Sequence, residues 1–319
     1  MDNGAELAAT ARDAANSHAT SEELKRLIDP KPLVENGHSW TAYVGPLVSL
    51  AILAAALYQL RGLNFAAIRA LVPTHPLFWL VFAATYLLSP IADWVIFRKL
   101  WGLPVSGMAA LLRKYVCNEI LLGYLGEVYF YAWARRHVRK VAAPFGAIKD
   151  VTILSALTGN VATLAMVLLA APMIGRLHLG VDSTTFALSM SFVLGTSMIF
   201  LLLRQSLFTL PPADLWFITF IHLVRIFGWA LLTGLTWHLV LPGVSIIYWL
   251  LLSTMRQLLS RLPFLPNKDV MFVALAAFLV GRETEIVNVM ALIATLMVSA
   301  HLLVGTIFGL TGLIREKTD

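Results

Sequence analysis

Cysteine is nearly absent. Cys117 stands alone, which excludes an internal disulfide framework and any multi-cysteine metal site. Charge is scarce as well: Asp, Glu, Lys and Arg make up 13% of the 319 residues, against roughly 25% in soluble chains. A Gly-rich phosphate loop, a nucleophile elbow and an Asp-rich metal motif are all missing, which argues against nucleotide hydrolysis. His222, His238 and His301 stand in apolar stretches, but no pair falls at i, i+3 or i+4 with a third ligand nearby. No metal and no cofactor are expected. Residues 1–40 have no apolar core, so no cleavable signal peptide is expected either.

Hydrophobic residues make up 59% of the chain and mean hydropathy is +0.78. The excess is gathered into long apolar blocks, which predicts an all-α polytopic membrane protein. Full spans are expected over about 43–60, 77–97, 150–171, 186–203, 215–241 and 285–310, six in all. Residues 1–40 read as a cytoplasmic polar segment, where Thr20-Ser21-Glu22-Glu23 forms a capping box for a short amphipathic helix ended before Pro30. Residues 315–319 form a short tail. The net charge of +6 comes mostly from basic loops beside spans, which reflects topology rather than an anionic partner, and no nucleic acid is expected.

Two blocks resist assignment as spans. Residues 105–134 hold apolar patches too short and interrupted for two crossings of about 20 residues each. Within them, Asn118 to Glu127 sets two carboxylates, Glu119 and Glu127, and a carboxamide among apolar and aromatic residues, with Gly123 and Gly126 three apart. A carboxylate at bilayer depth costs several kcal/mol unless it is paired, neutralised or facing water. The block reads as a re-entrant helical hairpin, and alternatively as an interfacial helix followed by a poorly hydrophobic span. A second broken block, 244–281, carries Arg256, Arg261, Lys268 and Asp269 around Pro263 and Pro266, and reads as a second hairpin. With both termini cytoplasmic, the basic run 135–149 falls inside and the two hairpins enter from opposite sides. Oppositely inserted broken helix pairs suggest an inverted-repeat transporter.

Other polar residues are weaker pointers. Asp93 lies close to Arg98 and Lys99, which suggests an interfacial ion pair, or more sharply a substrate or proton site. Ser155, Thr158, Asn160 and Thr163 recur at roughly helical spacing and make one polar stripe, suited to helix–helix hydrogen bonding or to a cavity wall. His222 and Arg225, three apart, share a helix face.

Asn118 to Glu127, Ala147-Ile148-Lys149-Asp150 with the span after it, and Leu262-Pro263-Phe264-Leu265-Pro266 leading to Gly281 carry a resemblance. Over roughly residues 45–312 the chain resembles the transmembrane flippase-type part of bacterial lysyl-phosphatidylglycerol synthases and their stand-alone relatives. It departs from that family at Pro266-Asn267-Lys268-Asp269, where the family's turn carries glycines. The resemblance implies a flippase-like domain over 41–314 in a bacterial inner membrane, moving a lipid or lipid-linked headgroup between leaflets. No soluble aminoacyl-transfer domain is expected with it. Membrane lipids are then the expected partners. Asn118, Glu119, Glu127, Arg225, Arg256, Arg261, Lys268 and Asp269 are the candidate substrate-binding residues, and no catalytic residue is assigned. In this reading the cations hold a phosphate or carboxylate, and the carboxylates pair with them or titrate. The alternatives are that these charges only pair with each other, that the chain is a membrane-embedded enzyme for a lipid-linked substrate, or that it is a non-transporting partner of a biosynthetic complex.

Overall fold

The computed structural model describes residues 73–121, 124–137, 144–174, 208–261 and 284–315, with isolated positions between 188 and 199 and between 269 and 276. Every regular element among the described residues is helical. They are α1 (Pro76–Trp101), a 3-10 turn (Val105–Gly107), α2 (Met108–Ile120), α3 (Leu125–His137), α4 (Pro144–Ile174), α5 (Pro212–Val240), α6 (Ile246–Leu259) and α7 (Thr284–Arg315). The expected span at 43–60 lies outside the described residues, as does most of that at 186–203.

Among the described residues four helices are long and apolar enough to cross a membrane: Pro76–Trp101, Pro144–Ala170, Pro212–Val240 and Glu285–Phe308. Their outer faces carry Leu80, Leu169, Trp216, Phe220, Leu231 and Leu303, all more than half exposed. Apolar side chains turned outward on long apolar helices fit a membrane-embedded protein, since lipid replaces water there. The helix ends follow local chemistry. His75 Nδ1 accepts from Leu77 N–H at the start of α1, and Gly102, at φ +65°, closes it in the left-handed conformation that glycine adopts freely. Leu241-Pro242-Gly243 ends α5 where the sequence places the break.

α5 is the central element and packs on α1, α4 and α6. The two largest apolar clusters among the described residues lie one towards each end of the long helices. One joins Phe78, Phe82 and Tyr86 of α1 to Val167, Trp237, Trp249, Leu252, Met255, Phe272 and Ile293. The other joins Ile96 and Phe97 to Leu111, Phe130, Val151, Leu154 and Ile218. Asp93, Ser155, Gly159, His222 and Arg225 fall between the two along their helices. A polar layer is thereby enclosed at mid-height by apolar packing.

Candidate functional site

α2 and α3 have 13 residues each, so each rises only about 20 Å, less than the roughly 30 Å of a bilayer core. They fold back on one another. Arg113 Nη1 donates to Tyr129 Oη at 3.3 Å, Lys114 Nζ lies 3.4 Å from Glu127 Oε1, and Asn118 Oδ1 accepts from Gly126 N–H at 2.8 Å. Pairs that close in as the chain approaches 121–124 define an antiparallel helical hairpin. Two features of the turn make it possible. Tyr124 takes φ +74°, a conformation that costs a non-glycine residue about 1 kcal/mol. Gly126 faces the Lys114 carbonyl and the Asn118 carboxamide so closely that a Cβ there would strike both. Asn118 closes the turn with its other end as well, donating through Nδ2 to Glu127 Oε2 at 3.0 Å.

The hub of the charges is Lys114, which the sequence reading passed over. Its ammonium sits 2.6 Å from Asp93 Oδ2 and 3.4 Å from Glu127 Oε1, with side chains at most 19% exposed. Asp93 also meets Arg225 Nη1 at 3.7 Å, and Arg225 Nη2 donates to Ser155 Oγ at 2.7 Å. One network therefore ties α1, α2, α3, α5 and α4. Two cations and two carboxylates balance within it, as burial in a low-dielectric interior demands. The signal for Lys114 was available: it stands four residues before Asn118, on the same helix face.

Asp93 corrects its expected role. Arg98 and Lys99 follow it by five and six residues, which on a helix turns them to other faces. Arg98 instead lies over the Trp94 ring at 4.8 Å, and Lys99 pairs with Asp214 at 3.4 Å. Asp93 is left to point inward.

A second group of charges lies around the end of α6. Arg256 is buried, lies 3.8 Å over the Trp229 ring, and pairs through Nε with Asp269 Oδ1. Arg261 is part-buried, and its guanidinium fills the notch left by the missing side chain of Gly159 on α4. Its hydrogen bonds, from Nε and Nη2, go to the neutral Ser260 Oγ at 3.3 and 3.0 Å. Arg225 and Arg256, both cations, and Tyr124 of the hairpin turn lie within electrostatic reach of it. Arg261 forms no ion pair among the described residues. Asp269 also lines a cleft with Thr85, Trp229, Thr233, Thr236 and Trp237.

Among the predicted site residues, Asn118, Glu127 and Arg225 join one network, and Arg256 and Asp269 pair in a second. Arg261 lies within electrostatic reach of Arg225 and Arg256. Glu119, part-buried on α2, lies within electrostatic reach of Tyr86, Tyr115 and His301. Lys268 lies outside the described residues. The polar stripe of α4 serves partly as expected: Ser155 takes the bond from Arg225, His222 Nε2 meets the Val151 carbonyl at 3.2 Å, and Thr163 Oγ1 is buried without a partner. Among the described residues no cluster of three His, Cys, Asp or Glu is arranged to hold a metal ion.

Comparison with family models, with curated proteins and with solved structures returns no match to this chain.

Proposed function

We propose that this protein is a membrane transporter that moves an amphiphile with an anionic headgroup between leaflets, in keeping with the resemblance to flippase-type domains. One observation carries the reading. Among the described residues Arg261, within electrostatic reach of Arg225 and Arg256, has only a neutral hydroxyl as its hydrogen-bond partner. Among the described residues Arg225 is balanced within the network of Lys114, Asp93 and Glu127, and Arg256 by Asp269, so Arg261 is the cation left over in an interior that disfavours unpaired charge. A phosphate or carboxylate would restore balance, and guanidinium groups bind either in bidentate fashion.

The hairpin α2–α3 supports the same reading. Each of its helices is too short to span, Tyr124 of its turn lies within electrostatic reach of Arg261, and its Lys114 and Glu127 are paired inside the fold. We read it as re-entrant from the cytoplasmic side, with the headgroup passing beside its tip and lipid tails remaining on the exposed apolar faces. The block around 262–268 would supply the opposing hairpin, and Lys268 a further cation.

Proteoliposomes holding only this protein and fluorescent phosphatidylglycerol test the proposal. Wild-type protein should exchange the label between leaflets. Arg261→Ala should lower the initial rate at least tenfold while the protein stays folded and monodisperse, the loss of about 1.4 kcal/mol or more of differential binding. Chemical conversion of the lipid in detergent, without a sealed compartment, would replace this reading with the membrane-enzyme one.

A further inference from the structure

Cations collect at one end of the bundle. α1 finishes on Arg98 and Lys99, α3 on Arg135, Arg136 and His137, and Lys149 stands in the second turn of α4. The apolar cluster built on Ile96 and Phe97 also takes in Ala134 and Ile148, so these groups share that end. The root of the hairpin lies there as well, because Leu103, Ala110 and Leu111 belong to the same cluster. Two carboxylates meet this group among the described residues, Asp214 on Lys99 at 3.4 Å and Asp150 on Lys149 at 3.4 Å. No carboxylate among the described residues pairs with Arg98, Arg135 or Arg136. Arg98 and Arg136 are exposed, and Arg135 is half-buried.

Aromatic rings fix these cations. Arg98 lies over Trp94 at 4.8 Å, Lys99 over Phe217 at 4.0 Å, and Arg135 over Tyr131 at 5.7 Å, where its Nη1 also donates to Tyr131 Oη at 3.3 Å. A run of ring contacts leads outward from the core. Phe97 and Trp101 of α1 meet Phe130 of α3 at 4.8 and 6.0 Å, Phe130 meets Trp133 at 5.7 Å, and Trp133 stacks on the exposed imidazole of His137 at 4.8 Å. Tryptophan and tyrosine, apolar in body and polar at one edge, settle at the headgroup level of a bilayer. Topology alone asks only for cations in a loop, where their positions are free. Here they stand in the last turns of two helices, a place that the helix dipole favours, and each ring beneath holds its charge in position.

We propose that this end of the protein is a contact surface for anionic phospholipid, which it gathers around the root of the hairpin. The headgroup phosphate accepts from Arg98, Arg135 and Arg136, and the acyl chains run along exposed apolar side chains of α1 such as Leu87 and Ile91. Charge selects the headgroup: guanidinium groups take a phosphate in bidentate fashion, and each cation near an anionic leaflet adds to the attraction. The rings select a lipid over a free anion, since Trp94, Trp101 and Trp133 set the same level of the protein at the membrane interface. This surface does not rest on the transport reading. It needs lipid to be held at one end, and no lipid to cross.

Tryptophan quenching tests it on the full-length protein in bilayers of phosphatidylcholine mixed with phosphatidylglycerol, with brominated chains on one lipid at a time. The relative binding constant should favour phosphatidylglycerol by about threefold or more at low salt. It should fall to about one in about 1 M NaCl, where charges are screened beyond roughly 3 Å. Replacing the three arginines together, Arg98→Gln with Arg135→Gln and Arg136→Gln, should abolish the preference. Arg98→Lys with Arg135→Lys and Arg136→Lys should keep most of it, which separates lost charge from lost folding.

Equal quenching by the two lipids in wild-type protein overturns the proposal and returns this end to a soluble acidic partner. A preference that the glutamine variant retains, or that the lysine variant loses as fully, overturns the role of these three charges. Competition by inorganic phosphate at constant ionic strength would make the site one for small anions and overturn the lipid assignment. Contact and crossing are read separately. A protein that prefers phosphatidylglycerol at this end and exchanges none between leaflets upholds the surface and overturns the transport reading, and exchange without any preference does the reverse.

Discussion

Lys114 on α2 bonds Asp93 on α1 at 2.6 Å, and the same ammonium holds Glu127 on α3. A single cation thus closes the hairpin on itself and fastens it to a long helix. Removing one partner of a buried pair costs about 3–5 kcal/mol, because the survivor stays buried and uncompensated. Glu127 softens that penalty here. Asp93→Asn should destabilise the protein by about 3 kcal/mol, at the low end of that range, and Asp93→Asn with Lys114→Met should recover part of the loss. Thermal unfolding in detergent, followed by tryptophan fluorescence, measures both.

Gly126 and Gly243 make a matched pair. A Cβ on Gly126 would collide with the backbone carbonyl of Lys114, which cannot yield without unwinding α2, whereas nothing lies within 4 Å of one on Gly243. Gly126→Ala should cost about 2–3 kcal/mol by overpacking, while Gly243→Ala should stay within about 0.5 kcal/mol of wild type. Melting temperatures of the two purified variants decide the matter.

Gly159 poses a different problem from Gly126. Its neighbour is the far end of the Arg261 side chain, which can move aside. Gly159→Ala should therefore leave stability within about 1 kcal/mol of wild type yet displace the guanidinium. If Arg261 holds the headgroup, lipid exchange should fall with Gly159→Ala nearly as far as with Arg261→Ala. Unchanged exchange would mean that the position of Arg261 does not matter to transport.

Asp150 is 0% exposed, and its Oδ2 accepts from Thr209 N–H at 2.6 Å, Thr209 Oγ1 at 2.9 Å and Leu210 N–H at 2.8 Å, while Lys149 lies 3.4 Å from Oδ1. It anchors the segment that leads into α5. Asp150→Ala strands three donors and should cost about 3 kcal/mol or more; Asp150→Asn keeps an acceptor and should cost less. Limited proteolysis around 208–211 should follow the same order, with cleavage fastest in Asp150→Ala.

Much of this was legible in the residues. Apolar blocks bounded by Pro76, Pro212 and Pro242 marked α1 and α5 to within a few residues, because proline and length constrain a helix locally. The break between α2 and α3 was legible from two short apolar patches with polar residues between them. His222 and Arg225 face α4 together, as three-residue spacing demands. Partnership was not legible. Asp93 seemed to belong to Arg98 and Lys99, its neighbours in sequence, and belongs to Lys114, 21 residues away.

Length, hydropathy and helix breakers act over a turn or a span, so the sequence by itself determined an all-helical, membrane-embedded chain with a broken pair at 105–134. Which charge meets which depends on how helices rotate and pack, and hydropathy is silent on rotation. Tertiary structure alone made Lys114 the hub and set Arg261 in the notch of Gly159.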